Sequence, residues 1–156
     1  MASNQRLIST MSIKSKARDT GVGILFWTKR NVGNIEIMLN AKKIGNDYLV
    51  TLIGGRDHVG AVAIGLFDEK SQRASSSVIT IPGHREEQLA LKGARRVSIV
   101  TKKTTIFIAG IHKDNINQED IINIISVACE MLEDLITFVK RKNEQEEKDD
   151  RSNGGN

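Results

Sequence analysis

The feature that most constrains this chain is a change of hydrophobic period near residue 82. Before it, apolar residues alternate or fall in short runs, the spacing of strands. "NIEIMLN" (34–40) alternates, "YLVTLI" (48–53) and "VGAVAIGLF" (59–67) follow, and "SVITI" (77–81) is β-branched and unbroken, as suits a buried strand. "AKKIGND" reads as a turn and "DEKSQRASSS" as a polar loop between them. After residue 82, Leu89, Leu91, Ala94 and Val97 recur at helical spacing. "TTIFIAG" (104–110) is a further buried strand. A long stripe then runs through Ile121, Ile124, Ile125, Ala128, Met131, Leu132, Leu135, Phe138 and Val139. Asn117, three residues before Asp120, is a capping-box signal. Lys140, Arg141 and Lys142 put positive charge at the expected C-terminus of that helix. "VGILFW" (22–27) is either one more strand or a docking segment.

The order β-β-β-β-α-β-α predicts an α+β (mixed α/β) fold. It consists of a mostly antiparallel sheet of five to six strands, with both helices packed on one face. Three consecutive hairpins would be followed by a βαβ crossover. The second face of the sheet is left to the N-terminal segment, a partner or water. At 156 residues the chain is long enough for one domain with a real core. That domain is expected over 34–142, after a basic, partly disordered extension (1–33) and before a disordered polar tail (143–156).

Charge narrows the functional classes. The net charge of +4 is concentrated at the front, since residues 1–33 carry six basic and one acidic side chain. Residues 142–156 carry three basic and five acidic ones. A basic arm can touch an anionic surface. The body lacks the basic face and aromatic stacking set of a nucleic-acid reader, so nucleic acid is not an expected partner. The single Cys129 excludes an internal disulfide framework and fits a reducing cytoplasm. On its helix, Cys129 reads as packing. No apolar run reaches the roughly 18 residues of a membrane span, and the first residues carry no secretion signal. HExxH, CxxC, GxSxG, Walker A and GxGxxG motifs are absent, and no pair of carboxylates stands out as acid and base, so an enzyme is not expected.

The three histidines carry the functional signal. With strand 48–53 taken as running up, His58 follows its upper end. Strand 59–67 runs down and 77–81 up, and His84 lies past that upper end. The crossover helix returns the chain, 104–110 runs up, and His112 follows. "GGRDH", "PGH" and "GIH" are thus predicted along one rim of the sheet. "PGHREE" opens a helix, so amides near Gly83–Arg85 are expected to face an anion such as phosphate. Arg56 and Arg85 can hold the same anion. Gly54, Gly55, Gly83 and Gly110 would let a ligand approach the backbone. Glu86, Asp57 and Asp114 can orient the imidazoles or assist a metal. His58, His84 and His112 are themselves candidate ligands for a divalent metal. Each feature also has a plainer reading as turn, helix start or solvated histidine. The joint placement is what favours a site.

The runs "LIGGRDHVGAVAIG", "SSSVITIPGHREEQLA" and "TIFIAGIHKDNI" together resemble the prenylated-flavin chaperone-like family, related to the proteasome assembly chaperone fold. The resemblance covers about residues 34–140. It implies a non-catalytic homodimer that holds prenylated flavin mononucleotide (prenylated FMN), or FMN, and passes it to a prenyl-flavin-dependent decarboxylase. The matching positions are Gly54, Gly55, His58, Gly60, Ala61 and Val62, then Pro82, Gly83, His84 and Glu86, then Gly110, Ile111 and His112. "LFDEKSQRASSS" replaces a longer, proline-rich segment common in the family, and the basic N-terminal arm is additional. Two other readings stand beside this one. The first is an assembly chaperone that binds protein subunits through the uncovered sheet face and the long helix. The second is a small metal-dependent hydrolase using the three histidines.

Overall fold

The computed structural model describes residues 24–153. Most of the basic extension before β1 therefore lies outside the described residues. The strands are β1 (Ile24–Val32), β2 (Ile35–Ile44), β3 (Asp47–Gly55), β4 (Ala61–Asp68), β5 (Arg73–Thr80) and β6 (Thr105–His112). The helices are α1 (Glu87–Thr101), between β5 and β6, and α2 (Gln118–Asn153). The fold is the expected α+β class, one mixed sheet that is mostly antiparallel, in the spatial order β1-β2-β3-β6-β4-β5.

Alternation in each strand sorts side chains onto two faces. One buried row crosses the sheet through Phe26, Ala41, Val50, Phe107 and Ala63, and ends at the half-buried Val78. Both helices cover this face. Phe138 of α2 packs on Phe26 with ring centroids 5.2 Å apart. α1 sits close because its buried face is made of small residues, Ala90, Gly93, Ala94 and Ser98 with Val97 and Thr101. A Cβ on Gly93 would lie 2.3 Å from the Phe107 ring. Of the expected α1 stripe, Ala94 and Val97 are fully buried and Leu89 packs against the core, while Leu91 is only half-buried and Ala90 and Gly93 complete the contact. The opposite face runs through Trp27, Asn40, Thr51, Ile108, Val62 and Ile79, and neither helix covers it.

Four sequence expectations are corrected. The β3–β4 connection is not a hairpin, because β6 inserts between those strands, parallel to β3 and antiparallel to β4. "SVITI" is not a buried strand. β5 is the sheet edge, starts earlier at Arg73, and leaves Ile79 75% exposed. "AKKI" belongs to β2, so the turn shrinks to Gly45 and Asn46. α2 does not end at Lys142 but continues to Asn153. "NEQEEKDDRS" is polar but rich in helix formers. It also carries spaced pairs along the helix, Lys142–Glu146 at 3.7 Å and Gln145–Asp149 at 3.0 Å.

"VGILFW" resolves as part of a strand. β1 pairs with β2 along its length, and the Arg30 guanidinium reaches α2, at 2.8 Å from Glu130 and 2.5 Å from Asp134. Lys29 pairs with Glu36 at 2.9 Å. These two charges of the basic N-terminal stretch are therefore spent inside the fold. No helix among the described residues is long and apolar enough to cross a membrane.

Candidate functional site

The inserted strand explains the local sequence at the upper rim. To pass from β3 to β4, residues 56–60 must cross over the end of β6. The crossing is tight. A Cβ on Gly110 would lie 1.9 Å from the His58 carbonyl oxygen, and the Gly60 amide donates to the Ala109 carbonyl at 2.9 Å. Gly55, at φ +70°, starts the crossing in a conformation that side chains rarely adopt. The loop therefore sets His58 directly above β6, whose last residue is His112. Their rings meet edge to face, with centroids 5.9 Å apart.

His84 arrives from the other side. After β5, Ile81 to His84 form a tight turn closed by the His84 amide donating to the Ile81 carbonyl at 3.1 Å. Pro82 and Gly83 are its central residues, with Gly83 at φ +87°, as a type II turn requires. The His58 and His84 rings lie 4.6 Å apart between centroids, and His58 Nε2 is 3.2 Å from His84 Nδ1. Three residues separated by 26 and 28 positions thus share one end of the sheet.

Carboxylates hold this group. Glu86 extends its side chain back over the rim, where Oε2 accepts from the Arg85 amide at 2.9 Å and Oε1 from the Ile111 amide at 3.2 Å. Its oxygens lie 3.5 Å from His58 Nε2 and 3.8 Å from His84 Nδ1. A Cβ on Gly60 would come within 2.5 Å of Glu86 Oε2, so glycine makes room for that carboxylate. Asp114 holds His112 Nε2 at 2.9 Å and stands 3.6 Å from the exposed Arg56. The His112 hydrogen bond, and then the charge of Arg56, hold the Asp114 carboxyl below the ordinary range.

Several expected roles fall differently. Helix α1 starts at Glu87, so Gly83–Arg85 precede it, and two of the three amides expected to face an anion are already bonded, His84 to Ile81 and Arg85 to Glu86. Arg56 and Arg85 are both exposed at the rim. Among the proposed glycines, Gly54, Gly55, Gly60 and Gly110 face protein atoms, and Gly83 alone has open space around it. The metal set His58, His84 and His112 is also revised. Among the described residues, the ligand atoms that lie within 4.8 Å of one another belong to His58, His84 and Glu86, while His112 turns to Asp114.

Sequence reasoning missed one element. A cleft of about 480 Å³ opens beside the rim on the helix-free face, lined by Asn34, Met38, Asn40, Ile53, Gly55 and Asp57. Its walls come from β2, β3 and the crossing loop. The signal available was the outward half of the β2 and β3 alternation, Met38, Asn40 and Ile53, which an argument from loops alone passes over.

Comparison with known proteins places the chain in a family. No curated protein matches the chain. Among solved structures, the chain is similar to a chaperone from a complex for yeast 20S proteasome assembly, at 12% identity and a TM-score of 0.44, over 77% of this chain and 99% of that one. The sequence profile of the prenylated flavin chaperone LpdD-like domain matches residues 31–140, a span that holds the three histidines, Glu86 and the cleft. The chain belongs to the prenylated flavin chaperone LpdD-like domain family.

Proposed function

We propose that this protein is a non-catalytic cytoplasmic carrier. It holds prenylated FMN, or a related flavin nucleotide, at the histidine rim and hands it to a prenyl-flavin-dependent decarboxylase. The observation that supports this reading is the meeting of His58, His84 and His112 from three strand ends beside a cleft, within the span matched by the family profile.

The residues fit a flavin nucleotide. Ligand clefts of roughly 300–1,000 Å³ suit such molecules, and this one is about 480 Å³. Met38 and Ile53 give it an apolar floor for a flat ring system, while Asn34 and Asn40 supply amide donors and acceptors for the ring edge. Arg56, 75% exposed and held only by the 3.6 Å pair with Asp114, is available to the phosphate. His58 and His112, edge to face, border the ligand, with ring orientations fixed by the Arg56 carbonyl and by Asp114. When bound, the flavin supplies the redox and carbon-bonding chemistry of the client enzyme. This chain binds it, orients it and limits water. In this reading the carrier is a homodimer, which sedimentation equilibrium tests.

Calorimetry with oxidised and prenylated FMN is the direct test, followed by transfer to the apo-form of a prenyl-flavin-dependent decarboxylase. Saturable binding of about one flavin per chain and recovery of decarboxylation are expected. Absence of heat with both flavins at high concentration sinks the proposal.

A second reading draws on the helix-free face. Ile79 and Leu66 lie on it and are 75% and 47% exposed, and Val62 and Ile64 flank them on β4. An assembly chaperone would dock a protein subunit there without cofactor. Retrieval of proteasome subunits by the chain, unchanged when all three histidines become alanine, would favour that reading over the carrier.

A further inference from the structure

We propose that His58 Nε2, His84 Nδ1 and the Glu86 carboxylate form a binding site for one divalent transition-metal ion of the zinc type, with at least one coordination position open. The inference rests on these three residues alone and not on flavin binding.

Spacing is the first argument. A tetrahedral ion with bonds of about 2.0–2.1 Å puts its ligand atoms about 3.3–3.4 Å apart. Here the nitrogens are 3.2 Å apart, and the carboxylate oxygens stand 3.5 Å from one nitrogen and 3.8 Å from the other. The two distances are to different oxygens, Oε1 and Oε2, and a single Glu86 oxygen lies within 4.8 Å of both nitrogens, so rotation of the carboxylate and imidazoles would close the site.

Protonation is the second. His58 Nδ1 lies 2.9 Å from the Arg56 carbonyl, which can only accept, so Nδ1 carries a proton, and in the neutral ring Nε2 presents a lone pair to the cluster. This is the backing that metal-bound histidines receive, because it fixes both ring orientation and tautomer. His84 donates from Nδ1 to that lone pair in the absence of an ion. It frees Nδ1 by moving its proton to Nε2, with no net loss of charge. Glu86 is braced in the same way. Each oxygen accepts from one backbone amide, Arg85 or Ile111, and keeps a further lone pair for an ion.

The environment is the third. Glu86 is 11% exposed in its side chain and the imidazoles 21% and 29%, so the donors are sheltered yet reachable. Two imidazoles and one carboxylate match borderline first-row ions, and three protein ligands are the pattern of sites that keep a place for an exchangeable ligand. Water or an anionic oxygen would take that place.

The test uses the untagged full chain, stripped with chelator and titrated with Zn²⁺ against a chromophoric competitor, and with Co²⁺ followed by its visible absorption. No flavin is present, so failure here leaves the carrier reading standing, and flavin calorimetry on the stripped chain checks that separately. About one equivalent of Zn²⁺ per chain is expected, with Glu86→Gln and His84→Asn each weakening it at least about tenfold and His112→Ala changing it less than about twofold. Co²⁺ should give the intense visible bands of a four- or five-coordinate site. Circular dichroism identifies any variant that fails to fold, and the cobalt spectrum of the unaltered chain then decides. No uptake by the unaltered chain, a six-coordinate cobalt spectrum, or a folded Glu86→Gln variant that binds as tightly as the parent overturns the proposal.

Discussion

At the scale of single residues, the rim is built by what glycine omits. Gly110 is buried beneath the crossing loop, and any side chain there collides with the His58 carbonyl at 1.9 Å. Backbone cannot yield as a flexible side chain can, so Gly110→Ala should lower stability by about 1–3 kcal/mol, read as a lower urea midpoint, and weaken flavin binding with it. An unchanged midpoint would mean that the loop does not cross where described. The histidines were legible in the sequence because each follows a strand of the same direction, and strand direction can be counted. Glu86 is legible in the sequence as a carboxylate able to orient the imidazoles or assist a metal. Its reach back to the Ile111 amide, 25 residues away, depends on a pairing that local pattern does not encode. The same holds for the amides at His84 and Arg85, whose partners form only once the turn and Glu86 are in place.

At the scale of elements, helix α1 shows why hydrophobic stripes mislead. Leu89 and Leu91 drew attention because they are large, yet the sheet accepts the helix through Ala90, Gly93 and Ala94. Gly93→Ala should gain about 1 kcal/mol of helix propensity. It should lose more, about 1–3 kcal/mol, to the Phe107 ring that is 1% exposed and 2.3 Å from the new methyl group. Net destabilisation in urea is expected, and a stabilised variant would contradict the packing. Helix α2 begins as its capping signal foretold, with the Asp120 amide donating to the Asn117 side chain at 2.8 Å. Lys113 also bonds Asp120 at 2.6 Å, and that hydrogen bond chiefly, then the Asn117 amide, lowers the Asp120 pKa. A folded-state pKa below the unfolded one stabilises above about pH 4 and is lost as pH falls through the folded value. Asp120→Asn should therefore cost more stability at pH 7 than at pH 2.5, so its acid limb is flatter than the parent's. Equal losses at both values would show that packing, not charge, is responsible. At the other end, removing residues 144–156 should reduce the helical circular dichroism signal while moving the urea midpoint little, since only exposed pairs are lost.

For the whole molecule, one topological fact organises the rest. β6 is last of the strands in sequence but sits in the middle of the sheet, between β3 and β4. The sequence supports the number of strands and their directions, and directions alone suffice to gather three histidines at one end. It does not reveal which strand lies next to which, because neighbouring apolar strands are interchangeable to a local pattern. That order decides that the β3–β4 loop crosses over β6, that the glycines serve the crossing, and that a cleft opens on the helix-free face. It also decides that β5 is an edge, although its β-branched end, Val78 to Thr80, suits an interior strand. The central claim is that His58, His84 and His112 act together as one border of a flavin site. The chain contains only these three histidines, so imidazole-detected nuclear magnetic resonance gives three ring systems and no others. Titration with prenylated FMN should shift all three sets of ring signals along one binding curve. Flavin binding that leaves the three sets unmoved, or shifts one and not the others, would contradict the account.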